Sequence, residues 1–167
     1  MQFLSRQEAD SLEKKLRRQL GSVDEPKAVL YYTSGRRDYA PAARLIAAAA
    51  GDFSEAAVLF SFCVTGDGWN EHASPESGWP AYRQWRSSLG EDRRLHDAPG
   101  HLFARGESEQ FSRVIEFALI LGWDALVGAK PGRNQVFLSH DDRVEVLAGF
   151  EARVLTKKLL ALGYWHT

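Results

Sequence analysis

The chain has 167 residues, 44% of them hydrophobic and 26% charged, with a formal net charge of -1. That is long enough to bury a core without disulfides or metal, and the charge supplies no global attraction to nucleic acid or to an anionic membrane. The lone cysteine, Cys63, rules out an internal disulfide and points to a reducing compartment; with no apolar leader and no membrane-length run, a cytoplasmic location is expected.

Ser5 and Glu8 have capping-box spacing, and Ala9, Leu12, Leu16 and Leu20 follow at helical intervals until Gly21. Lys14, Lys15, Arg17 and Arg18 lie mostly off that stripe and read as a solvated face. Residues 28–33 are branched and aromatic, hence a strand. A loop carrying Ser34-Gly35-Arg36-Arg37 leads into a small-residue helix opened by Pro41 and closed by Gly51. Residues 57–65 alternate as a second strand. This strand-helix-strand run leaves a parallel crossover, and so a mixed sheet, open.

From Gly66 to Gly106 the pattern is irregular and holds Trp69, Trp79 and Trp85. A helix from about Trp79 to Leu89 would put Tyr82, Trp85 and Leu89 on one face. The charged run Glu91–Arg94 reads as solvated. After the Pro99-Gly100 turn, residues 101–104 form a short strand. The stretch around which the chain is organised follows. Val114 to Leu121 has Glu116 as its only polar residue, so a helix over Glu107–Leu121 must lie inside a core. Gly122 suits its left-handed end. Two strands then meet at Pro131-Gly132 as an antiparallel hairpin, and a third follows a turn at His140-Asp141-Asp142. A last helix spans Phe150 to Leu162. The whole predicts one α+β domain over residues 1–167, a central, largely antiparallel and possibly mixed sheet with helices packed against it.

No nucleophile elbow, phosphate loop, dinucleotide fingerprint or paired-cysteine zinc spacing occurs. The strongest catalytic candidates are His96, His101, His140 and Asp141, which would suit zinc or acid/base work if they converged. Their spacing matches no ligand pattern, so no metal and no cofactor are expected. Arg36 and Arg37, between a strand and a helix, are candidates for a phosphate. Glu116, if buried, needs an ion-pair partner. Trp69, Trp79 and Trp85, with Asp141 and Asp142, are candidates for partner binding; the alternative for the tryptophans is a satellite core.

Three motifs, at residues 95–103 (LHDAPGHLF), 121–125 (LGWDA) and 137–142 (FLSHDD), resemble those of a family of small bacterial proteins. The resemblance runs from Leu95 onward. It implies an α+β fold and brings no catalytic residue with it. The leading expectation is a non-enzymatic bacterial interaction protein, most concretely an immunity-type protein that binds and neutralises a toxin. Its partner would be a protein, not nucleic acid or membrane. The alternative is a small enzyme or phosphate-binding protein using the His/Asp set and the Gly-Arg-Arg loop.

Overall fold

A computed structural model describes residues 1–19, 26–33, 38–62, 79–130, 135–148 and 152–166. Among them seven strands form one antiparallel sheet, carrying five helices. The elements in chain order are β1 (Gln2–Leu4), α1 (Arg6–Gln19), β2 (Ala28–Tyr31), α2 (Ala40–Ala49), β3 (Glu55–Phe62) and α3 (Trp79–Ser88). There follow β4 (Gly100–Ala104), α4 (Ser108–Leu121), β5 (Asp124–Lys130), β6 (Gln135–Ser139), β7 (Arg143–Ala148) and α5 (Ala152–Ala161). The fold is α+β, as the sequence predicts.

The strand order is β1-β4-β3-β5-β6-β7-β2, and every neighbouring pair is antiparallel. The sheet is therefore not mixed. β2 and β3 do run the same way, but β5, β6 and β7 lie between them, so α2 crosses the sheet without joining hydrogen-bonded partners. The reason lies at the far end of the chain: β7 registers Glu145 against Val29 and so holds β2 at the sheet edge.

Alternation divides the side chains between two cores. On one face Val58, Phe60, Val127, Val136, Leu138, Val144 and Leu30 meet the buried sides of α2, α4 and α5. In α4 this means Phe111, Val114, Ile115, Ala118 and Leu119, all sealed. Gly122 ends that helix at φ 59°, a left-handed conformation that glycine adopts freely, and its N–H returns to Ala118. Glu116 lies at the helix margin, 3.3 Å from Arg113, so it is a surface ion pair. On the other face α1 covers Ala57, Leu59 and Leu126 with Ala9 and Leu16. Ser5 and Glu8 cap it: the Ser5 N–H and hydroxyl both donate to Glu8 Oε2, at 2.8 and 2.7 Å. The helix passes so close that a Cβ at Gly100 would lie 3.1 Å from Ala9 Cβ and one at Gly128 3.2 Å from Leu16 Cδ1. No helix of the described residues is long and apolar enough to cross a membrane.

Candidate functional site

His140, Asp141 and Asp142 lie together at one end of the sheet. β2, β3 and β6 finish there, and β4, β5 and β7 start there. The turn His140-Asp141-Asp142 joins β6 to β7 at this end. It is a three-residue turn whose last member, Asp142, sits at φ 58°. Asp142 also accepts the Tyr32 N–H through its carbonyl at 2.9 Å, which ties the turn to the end of β2. The Arg36 and Arg37 loop and Trp69 lie outside the described residues, as does Cys63.

At the turn the polar groups are bonded to one another. Asp124 Oδ1, from the start of β5, accepts the His140 backbone N–H at 2.7 Å and faces His140 Nδ1 at 2.9 Å. His140 Nε2 faces Asp141 Oδ1 at 3.4 Å. Arg143 then reaches Asp141 at 3.2 Å and Glu145 at 2.8 Å. The Asp124 hydrogen bond, helped by the charges of Asp124 and Asp141, holds the His140 pKa above its ordinary 6.5. Both ring nitrogens thus face a carboxylate, Asp124 at hydrogen-bond distance from Nδ1 and Asp141 at ion-pair distance from Nε2.

His101 is elsewhere and does something else. It sits in β4, two strands removed from β6 by the intervening β3 and β5, hence about 14 Å from it at the usual strand spacing. Its ring is fully buried among Phe3, Phe60, Tyr82 and Trp85. Arg86, sealed in α3, donates to the Tyr82 hydroxyl at 3.2 Å, and to the carbonyls of Ala98 and Arg93, each at 3.2 Å. An arginine only donates, so the Tyr82 oxygen accepts from Arg86 and the Tyr82 proton goes to His101 Nε2, 2.9 Å away. That order puts the His101 hydrogen on Nδ1, which is buried and makes no hydrogen bond of normal distance and angle among the described residues, while the backbone at Val58 and Pro99 acts on the ring. Burial, and secondarily the Arg86 charge, push its pKa down to about 3.

This buried chain corrects two expectations. The inward face of α3 is Trp79, Tyr82 and Arg86, while Leu89 is exposed. The helix ends at Ser88, and the backbone of the following loop supplies two carbonyl acceptors that offset the cost of burying the guanidinium. Glu91, expected in solvent, is buried against Arg93 and Arg86. Burial raises its pKa but the Arg93 hydrogen bonds outweigh that, leaving it low.

His96 is exposed on the loop before β4, where Arg6 bonds its carbonyl at 3.1 Å. His96, His101 and His140 with Asp141 thus form no common site. Among the described residues no group of three or more His, Cys, Asp or Glu could hold a metal ion. The tryptophans divide too. Trp79 is 5% exposed, packed on Tyr82 and Trp123, so its ring is core and offers no surface. Trp85 is half-buried against Tyr82 and Phe117 and edges a groove of about 890 Å³ between α2 and α4. Within that groove the lining carries no His, Cys or Tyr among the described residues. Its charged members include Arg113 and Glu116, which pair with each other.

No family model matches the chain, and no curated protein or solved structure does either.

Proposed function

We propose that this chain is a non-enzymatic bacterial interaction protein of the immunity type, acting in the cytoplasm by binding and neutralising a toxin-like protein partner. The observation that carries this reading is the acidic end of the sheet. Asp124, Asp141, Asp142 and Glu145 lie at and beside this turn against Arg143 and His140, four acidic groups to two basic ones, with Asp141 51% exposed. Fixed carboxylates of that kind speed and orient the capture of a basic protein, and their effect falls with salt. The enzymatic alternative has less support. His101 is sealed, and His140 has a carboxylate at each ring nitrogen. Nucleic acid is disfavoured as partner by the same carboxylates.

Co-expression tests the reading. The proteins encoded beside this chain are expressed singly and together with it. One of them should arrest growth alone, be tolerated with the chain, and purify as a stoichiometric complex with it. If no neighbouring product is toxic or binds the chain, the interaction reading falls.

A further inference from the structure

The acidic turn ends a broader surface. On β2, β7 and β6 the odd-numbered residues point away from the large core, because Leu30, Val144, Val146, Val136 and Leu138 fill it. The register sets Val29, Glu145 and Phe137 side by side in one row. The next row toward the turn runs from Tyr31 to Arg143 and Ser139. This is the face that α1 covers farther along. α1 starts beside Gly100 and ends over Gly128, where Gln135 Nε2 donates to the Leu16 carbonyl at 2.8 Å. Its path therefore crosses β4, β3 and β5 and reaches the opposite end of β6. Among the described residues Val29, Tyr31 and Phe137 belong to neither core, and they are only partly buried.

The sheet edge beside these rows is closed. Tyr31 and Trp165 exchange backbone hydrogen bonds of 2.8 and 3.1 Å, and His166 Nδ1 lies 3.2 Å from the Val29 carbonyl. A partner cannot add as a strand at Tyr31, so it has to read side chains. The bridge also places Trp165, 45% exposed, in line with Tyr31.

Resting on the interaction reading, we infer that this partly exposed sheet face (Val29, Tyr31, Phe137, Glu145 and Trp165, ended by Asp141) is the docking surface for a basic segment of the partner protein. Lysine or arginine side chains meet Glu145 and Asp141, which Arg143 already holds in place. Apolar or aromatic side chains lie on Tyr31, Phe137 and Trp165, whose rings lose little conformational freedom on binding.

Two labelled peptides test the face in the full chain, independently of any identified partner. The first is decalysine, the second an equally long peptide alternating lysine and tryptophan. Decalysine should bind, with affinity falling as salt rises. The pair Asp141→Asn with Glu145→Gln should weaken it about fivefold or more. The pair Asp10→Asn with Glu109→Gln, an equal charge change elsewhere, should alter it less than about twofold. The mixed peptide should bind about fivefold tighter than decalysine, and Trp165→Ala should remove that gain, with thermal melts confirming the fold. Tyr31→Ala repeats the test from inside the sheet. If the two charge pairs have equal effects, or if the mixed peptide shows no gain over decalysine or keeps it in Trp165→Ala, the assignment is overturned. Growth rescue alongside that result would leave the interaction reading intact and move the surface elsewhere; failed rescue with peptides binding as expected would leave the basic-segment surface and remove the toxin.

Discussion

Acid should destabilise this protein through His101, and the size of the effect follows from its surroundings. The ring is neutral in the folded state, its pKa held at about 3 by burial and by Arg86, against 6.5 for an ordinary histidine. Below pH 6.5 the unfolded chain therefore binds a proton that the folded chain does not, and stability falls as pH falls. The slope is about 1.4 kcal/mol per pH unit until the folded pKa is reached, which amounts to a loss of about 2 kcal/mol at pH 5 and about 3 kcal/mol at pH 4. Against a typical stability of roughly 5–15 kcal/mol that is a large fraction. Protonation also breaks the donor order of the chain: Nε2 would present a second hydrogen to the Tyr82 hydroxyl, whose oxygen already accepts from Arg86. Urea melts at pH 7, 6, 5 and 4 measure the slope, and His101→Gln isolates it, since the amide oxygen can still accept from Tyr82. The variant should be less stable at pH 7 and should lose about one proton's worth of slope between pH 6 and 4. Equal slopes in the two proteins would mean that His101 is not the sealed neutral imidazole described above.

Three further outcomes can be measured on single variants. Ile115→Ala or Leu119→Ala, each removing a sealed α4 side chain, should cost about 2–5 kcal/mol in denaturant melts; less than about half a kcal/mol for both would displace α4 from the centre of the core. Gly100→Ala should cost about 1–3 kcal/mol, because its Cβ would sit 2.8 Å from Leu4 Cβ and 3.1 Å from Ala9 Cβ, and amide exchange in the first turns of α1 should rise with it. NMR titration should place the His140 midpoint above 6.5 and Asp124→Asn should lower it toward that value; since a raised histidine pKa adds stability that is complete below pH 6.5 and lost as pH rises through the folded midpoint, an unchanged midpoint in the variant would remove Asp124 as the cause.

Much of the fold is legible in residues that act locally. The apolar run of α4, the capping pair Ser5 and Glu8, the left-handed Gly122 and the alternation of β3 each specify an element from a few neighbours in sequence. What is not legible is what distant residues decide. β1 has three residues and no period of its own; it is a strand because Gln2, Phe3 and Leu4 register against Leu102, His101 and Gly100. The placement of β2 depends on β7, more than a hundred residues on, which is why local strand-helix-strand order suggested a parallel pairing that does not form. Arg86 looks like a solvent residue in sequence, and its burial is made tolerable by its partners: the Arg93 and Ala98 carbonyls, the Tyr82 hydroxyl and the Glu91 carboxylate. The site was half legible. Asp141 and Asp142 stand out as paired acids in a turn, whereas their link to Asp124 needs the β5–β6 hairpin. Nothing in the spacing of Val29, Tyr31 and Phe137 marks them as a surface, because their exposure is set by where α1 stops.

The same geometry explains why the aromatic residues of this chain should not be weighed by type alone. Trp79 and Trp165 are equal as letters, yet one fills the space between α3 and the start of β5, while the other lies outside the last strand. A single exposed tryptophan carries no meaning by itself, since much of any protein surface is apolar. Trp165 differs because its backbone is fixed by two hydrogen bonds to Tyr31, and Tyr31 in turn lies beside Arg143, whose guanidinium is held between Asp141 and Glu145. Rings and charges at this end are thus positioned before any partner arrives, and ordering them on binding costs little. A surface that is both fixed and amphipathic discriminates: an acidic partner meets repulsion from the carboxylates, and a basic partner lacking apolar groups gains only the salt-sensitive part of the contact.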